Sequence, residues 1–242
     1  MANETGDMKI LGNFRKLVDM TTADTLHDPS NPKIEVANLE ARLAASILSV
    51  EDIGVKMAPN KVAINARQEG YDGILALVRG SRNILKASGA SPEMIADADT
   101  FARKVLGLRK SKKKEDDPNT PTNEASQNHS ASQQSYDAVL GNFRSYLQML
   151  KSESLYSPNE AKYKTTTLET KADAFEALNN AVSATFVPLN NARSVRDDQL
   201  YTTDDCLCTL AAMVKAYAKA IHGATSQYFK TLNALSFKRT FR

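Results

Sequence analysis

The pentapeptide Leu11-Gly12-Asn13-Phe14-Arg15 occurs twice in this chain, returning unchanged as Leu140-Gly141-Asn142-Phe143-Arg144. The second copy lies 129 residues after the first, and the same offset carries the match onward without a gap. Met20 falls on Met149, Leu26 on Leu155, Pro29 on Pro158 and Lys33 on Lys162. Leu39-Glu40 falls on Leu168-Glu169, Ala45 on Ala174, Pro59 on Pro188, Ala63 on Ala192 and Arg67 on Arg196. Fifteen of the fifty-seven positions from Leu11 to Arg67 are identical. Self-similarity at a fixed offset is the signature of a duplicated unit. It divides the 242 residues into two halves, each near one hundred residues and large enough to bury a core.

Both halves read as helical. Apolar residues recur at three and four from Ile10 to Met20, which predicts an amphipathic helix over 8–26. The polar, double-proline stretch Asp28-Pro29-Ser30-Asn31-Pro32 stops it. A second helix begins near Lys33, with Leu39, Leu43, Ile47, Val50 and Met57 as its buried stripe. Pro59 lacks an N–H and crowds the preceding turn, which predicts a long helix bent there and running to about Gln68, or a short break before the proline. A third helix spans 74–87 and ends at Gly89; a fourth opens at Ser91-Pro92-Glu93 with a serine cap and a proline in the first turn, and runs to about Leu106. The second half repeats the plan over 134–155, 162–198, 204–222 and 226–239. Gly223 stands where Gly89 stood, but at a larger offset, so about five residues are inserted between Arg196 and Gly223, around Leu200-Tyr201-Thr202-Thr203.

The expected fold is therefore all-α: two tandem antiparallel helical bundles of about four helices each, related by internal duplication. Repeat 1 is 8–107 and repeat 2 is 134–242. Between them, 108–133 carries a charge run and then Pro, Asn, Thr, Ser and Gln, a composition that reads as a flexible polar linker.

Candidate sites are few. Glycines are scattered, with no phosphate-cradling loop, and none of His27, His129 and His222 has a glutamate three residues before it, as the Glu-x-x-His pairs of a helical di-metal centre would. The reading predicts no catalytic residue, no cofactor and no metal. Cys206 and Cys208, two apart on a helix, point in different directions and read as free thiols of a reducing cytoplasm. Arg15 with Glu40, and Arg144 with Glu169, lie on successive antiparallel helices and are candidate ion pairs; the alternative is that the arginines are solvated. Gly12 and Gly141 each cost helix stability, which points to close helix packing, or to a frayed helix start. After Asp205 the chain has no acidic residue, while Lys215, Lys219, Lys230, Lys238, Arg239 and Arg242 alternate with aromatics, so these cations are candidate contacts to an anionic partner. The competing account places those aromatics in the core and the terminal cations at a helix end.

Leu-Gly-Asn-Phe-Arg, together with Pro29-Ser30-Asn31-Pro32 and Leu85-Lys86-Ala87-Ser88-Gly89-Ala90-Ser91, resembles an uncharacterised family of duplicated all-helical bacterial proteins. The resemblance implies the helical fold and carries no activity. The functional expectation is a non-enzymatic interaction or scaffold protein of the cytoplasm with a protein partner. The alternative is a nucleic-acid-binding module using the basic C-terminal region. No stretch approaches the ~20 apolar residues a membrane helix needs, so no membrane role is expected.

Overall fold

The computed structural model describes residues 6–108 and 134–238. All regular structure among the described residues is helical. The helices are α1 (Asp7–Ala23), α2 (Val36–Tyr71), α3 (Ile74–Ala87), α4 (Pro92–Val105), α5 (Tyr136–Ser152), α6 (Thr165–Asp197), α7 (Leu207–His222) and α8 (Gln227–Ala234). Short 3-10 turns, Pro32–Ile34 and Ala161–Tyr163, lead into α2 and α6. No described helix is long and apolar enough to cross a membrane.

The 129-residue offset holds at the level of single bonds. Both α1 and α5 are 17 residues long, and their starts are 129 apart. Their buried faces coincide position by position: Ile10, Leu11, Phe14, Leu17, Val18 and Thr21 against Val139, Leu140, Phe143, Tyr146, Leu147 and Leu150. In the following turn, the N–H of Leu26 donates to the Asp24 carboxylate at 3.0 Å, and the N–H of Leu155 donates to that of Glu153 at 2.9 Å. His27 Nε2 donates to the Ile34 carbonyl at 2.9 Å; the Tyr156 hydroxyl donates to the Tyr163 carbonyl at the same distance. A histidine and a tyrosine thus tie the same loop from the same place.

The chain packs as two compact units that do not follow the halves. Among the described residues, unit 1 is drawn from 6–61 and 184–238, and unit 2 from 62–108 and 134–183. The boundaries fall inside α2 and inside α6. The core of unit 1 gathers Phe14, Leu17 and Leu39 with Leu200, Leu207, Val214 and Leu232. That of unit 2 gathers Tyr71, Val78, Leu85 and Ala102 with Phe143, Tyr146, Leu150, Leu168 and Phe175. This corrects the expectation of tandem bundles over 8–107 and 134–242, each with a core of its own. The physical reason is the length of the second helix. At 1.5 Å per residue, the 36 residues of α2 span about 54 Å, more than the core of a unit of ~100 residues offers. Its first and last turns therefore find different partners, and the other half supplies them.

Neither proline breaks its helix: Pro59 lies inside α2 and Pro188 inside α6. Each removes the ladder bond to the carbonyl four residues earlier, at Val55 and at Ala184. Both prolines are exposed, where water reaches such carbonyls. The extra residues of the second half form a π-helical turn, Asp198–Thr202, that buries Leu200 and Tyr201. A π turn accommodates additional residues without ending the helical path.

Gly12 and Gly141 are exposed, and a side chain at either would meet nothing within 4 Å. They are not packing glycines, because both lie on the outward face of their helices. The crowded ones are Gly70, where a Cβ would run into Leu178, and Gly80, where it would run into the Tyr163 ring.

A candidate interaction surface and a polar cleft in unit 1

The expected ion pairs form with other partners. Arg144 Nη2 lies 3.0 Å from Asp173 and 2.6 Å from Glu176, while Glu169 takes Lys151 at 2.5 Å. Moving seven residues back along α5 moves the partner seven residues forward along α6, as antiparallel helices require. Arg144 is thus two turns from Glu169. In the first half, Asp173, Glu176 and Lys151 are replaced by Ala44, Ile47 and Thr22. Among the described residues Arg15 forms no ion pair, and it is exposed, as is Glu40.

The basic C-terminal cluster divides. Lys215 is a structural residue: its Nζ donates to the carbonyls of Asn233 at 3.1 Å and Leu235 at 2.5 Å, and it lies 5.2 Å from the Phe237 ring. Burial pushes its ammonium below the ordinary lysine range. Lys219, Lys230 and Lys238 are exposed, and Arg239 and Arg242 lie outside the described residues. Tyr217, Tyr228, Phe229 and Phe237 pack against the core of unit 1. Tyr217 accepts the N–H of Asp28 at 3.2 Å, and Tyr228 donates to the Met20 carbonyl at 3.2 Å, so both hydroxyls are engaged.

His222 ends α7 and lies 2.7 Å from Asp24, with the Tyr228 ring 4.3 Å away. Burial alone would raise the Asp24 carboxyl, but the hydrogen bonds from His222 and the Leu26 N–H outweigh it and hold the group below its usual range. Burial pushes the Tyr228 phenol up to about 12, with Asp24 adding to the rise. Cys206 and Cys208 are both buried and are not joined in a disulfide; Cys206 caps α7 through the Thr209 N–H.

A cleft of about 630 Å³ opens in unit 1. Val50, Ile53 and Met57 of α2 form an apolar wall; Asp7, Arg193, Arg196 and Asp197 form the polar one. Arg196 reaches Asp7 at 2.5 Å, the Tyr201 hydroxyl donates to the other oxygen of Asp7 at 2.6 Å, and Arg196 Nε stands 2.8 Å from Asp197. Burial opposes the Arg196 charge, yet the two carboxylates prevail and hold its guanidinium above its ordinary value. The charges in this cleft answer one another, so it offers an apolar wall and the exposed Arg193 rather than an unpaired reactive group.

The opposite face of α2 differs. Leu48 and Val55, seven residues apart, are each 64% exposed. Ala41, Ala45 and Ala58 are exposed on the same side. Seven residues are two helical turns, so these positions line up as one strip, roughly opposite the cleft wall. A single exposed leucine is ordinary; an aligned strip along a helix is less so.

Sequence reasoning missed the polar contacts that close each unit. These are Arg196 with Asp7, His222 with Asp24, Lys33 and Arg42 on Asp205 at 2.6 Å each, and Arg82 with Asp99. One signal was available: Arg67 and Arg196 match across the halves, as Arg15 and Arg144 do. Comparison with family models, curated proteins and solved structures finds no match.

Proposed function

We propose that this is a non-enzymatic interaction protein of the cytoplasm, which docks an amphipathic helix of a protein partner along the outward strip of α2 in unit 1. The observation that carries the reading is the exposure of Leu48 and Val55 at heptad spacing, flanked by Ala41, Ala45 and Ala58. The alanines allow a second helix to approach to the ~8–10 Å of ordinary helix packing, with the two larger side chains as knobs and Glu51 and the Asp52–Lys56 pair beside them as polar contacts. The inner face of this helix is already engaged, since Leu39 is fully buried and Leu43, Ile47 and Val50 pack on the core. Two buried cysteines that are not joined in a disulfide agree with a reducing compartment.

The same reading takes the two halves as copies of one ancestral unit, in line with the resemblance to duplicated bacterial proteins. The matching elements, buried faces and turn hydrogen bonds support it.

The test uses the full chain carrying Leu48→Glu and Val55→Glu. Such surface changes should shift stability by no more than ~0.5 kcal/mol each. A partner captured by the parent chain and lost from the double variant, at unchanged helicity and Tm, supports the reading; a partner retained by the variant overturns it. The nucleic-acid alternative rests on Lys219, Lys230 and Lys238. It predicts salt-dependent RNA or DNA binding that falls when these three become Gln, and that is indifferent to Leu48 and Val55.

A further inference from the structure

Inside each unit, polar and aromatic contacts join one half of the sequence to the other, beside others, such as Arg82 with Asp99, that stay within a half. In unit 1, Phe14 meets Phe237 edge-on at 6.2 Å, and Asn13 donates to the Ser236 carbonyl at 2.9 Å. In unit 2, Tyr71 stacks on Phe175 at 4.3 Å, and the buried hydroxyls of Ser81 and Tyr146 share a hydrogen bond of 3.0 Å. Every one of these pairs takes one residue from 6–108 and one from 134–238.

The pairing is also reciprocal. Arg196 of the second half reaches Asp7 of the first at 2.5 Å. Arg67 holds the place of Arg196 in the first half, and it lies 4.0 Å over the ring of Tyr136, which holds the place of Asp7 in the second. The turn Pro32–Ile34 packs on α7, and its counterpart Ala161–Tyr163 packs on α3. Contacts of position i with j′ and of i′ with j mark the isologous interface between two copies of one subunit.

We infer that the two halves are each other's obligate binding partners. The surface that α1 and α5 bury is a dimer-type interface, and the partner it fits is a second copy of the half. Residues 6–108 leave Phe14, Leu17 and Leu39 without the α7 and α8 side chains that cover them. Residues 134–238 likewise leave Phe143, Tyr146 and Phe175 without those of α3 and α4. Neither half closes a core alone. The inference needs only this packing, and stands whether or not the strip on α2 docks a partner. Gln134 Nε2 donates to the Lys104 carbonyl at 2.8 Å, so the start of the second described stretch also rests on the first half.

The experiment takes the full chain with a specific protease site placed within 109–133, folded and then cut. Native mass spectrometry and size exclusion should find one 1:1 complex at the size of the uncut chain. Its Tm should now rise with concentration, because association and folding have become one bimolecular step. Dilution should separate the fragments with loss of helical circular dichroism. Fragments that part as folded, helical halves would overturn the inference. So would a cut complex whose Tm is independent of concentration. As a second variant, Ser81→Ala in the cut protein should raise several-fold the concentration at which half of the complex has dissociated, while leaving the uncut chain folded; no change in the cut complex would count against the interface.

Discussion

Unit 2 and unit 1 are assembled from matching parts, yet they are closed in different ways. In unit 2 the fourth helix of its half, α4, has 14 residues and lies along α5. A buried ion pair locks it: Arg82 of α3 donates through two nitrogens to Asp99 of α4, whose side chain is only 11% exposed. In unit 1 the corresponding helix, α8, has 8 residues, and α1 leans on α7 instead. The chain beyond α8 supplies the cover that the short helix does not. Phe237 closes over Phe14, Ser236 takes the Asn13 amide, and Lys215 holds the carbonyls at the end of α8. The comparison teaches that one helical plan admits two closures. One uses a buried charge pair with a fixed geometry; the other uses a capped tail that conforms to the core.

Seven substitutions and a pH profile would break or sharpen this comparison. Phe14 and Phe143 occupy matching positions and neither has exposed surface. Each Phe→Ala change should cost about 3–5 kcal/mol by chemical denaturation, with Phe143→Ala the larger by about 1 kcal/mol, because the tail over Phe14 can settle into the space. Equal losses would remove the distinction between a rigid and a conforming closure. Arg82→Ala should cost about 2 kcal/mol, since it removes both hydrogen bonds from the largely buried Asp99 carboxylate and leaves Lys86, 3.9 Å away, as its nearest ion-pair partner.

Acid should find the same pair. The hydrogen bond from Arg82 holds the Asp99 carboxyl below its usual range, against the opposing effect of burial. A group whose folded pKa is depressed stabilises the fold fully above the unfolded carboxylate value of about 3.9, and loses that contribution as pH falls toward the lower folded value. Stability should therefore fall below about pH 4, and Asp99→Asn should flatten that limb. Asp24 contributes with the same sign in unit 1, so some of the fall should survive the Asn variant.

Lys215→Met keeps the apolar stem and deletes the donor, which should cost about 1 kcal/mol and loosen amide protection at the end of α8 before anything in unit 2. The smallest effect belongs to the surface: Arg144→Ala should cost between about 0 and 1 kcal/mol, and Arg15→Ala nothing measurable, as it forms no ion pair among the described residues.

The elements were legible because each rests on local chemistry. The apolar spacing in α1, the Ser91-Pro92 start of α4, the Gly89 and Gly223 turns and the length excess before α7 are all written in adjacent residues. What the residues near Arg15 and Glu40 could not show is register, which depends on how far two helices slide past each other. Gly12 and Gly141 invited a packing role because their spacing repeats, but repetition does not say which way a helix face points. The misjudged feature was the partner of each core. The stripe of α1 says that it will be covered, not that α7 rather than α3 covers it; that choice follows from the 36-residue length of α2. The polar closures were hidden for the same reason: Asp7 with Arg196 and Asp24 with His222 join residues nearly two hundred positions apart.

Zero-length carbodiimide cross-linking of the full-length monomer, read by peptide mass spectrometry, tests the cross-half packing most directly. Lys33 Nζ lies 2.6 Å from Asp205, and Lys151 Nζ lies 2.5 Å from Glu169. The account predicts an amide bond between Lys33 and Asp205 within one chain, beside the Lys151–Glu169 bond formed inside the second half. Finding the second bond, with every other link confined to 6–108 or to 134–238, would contradict it.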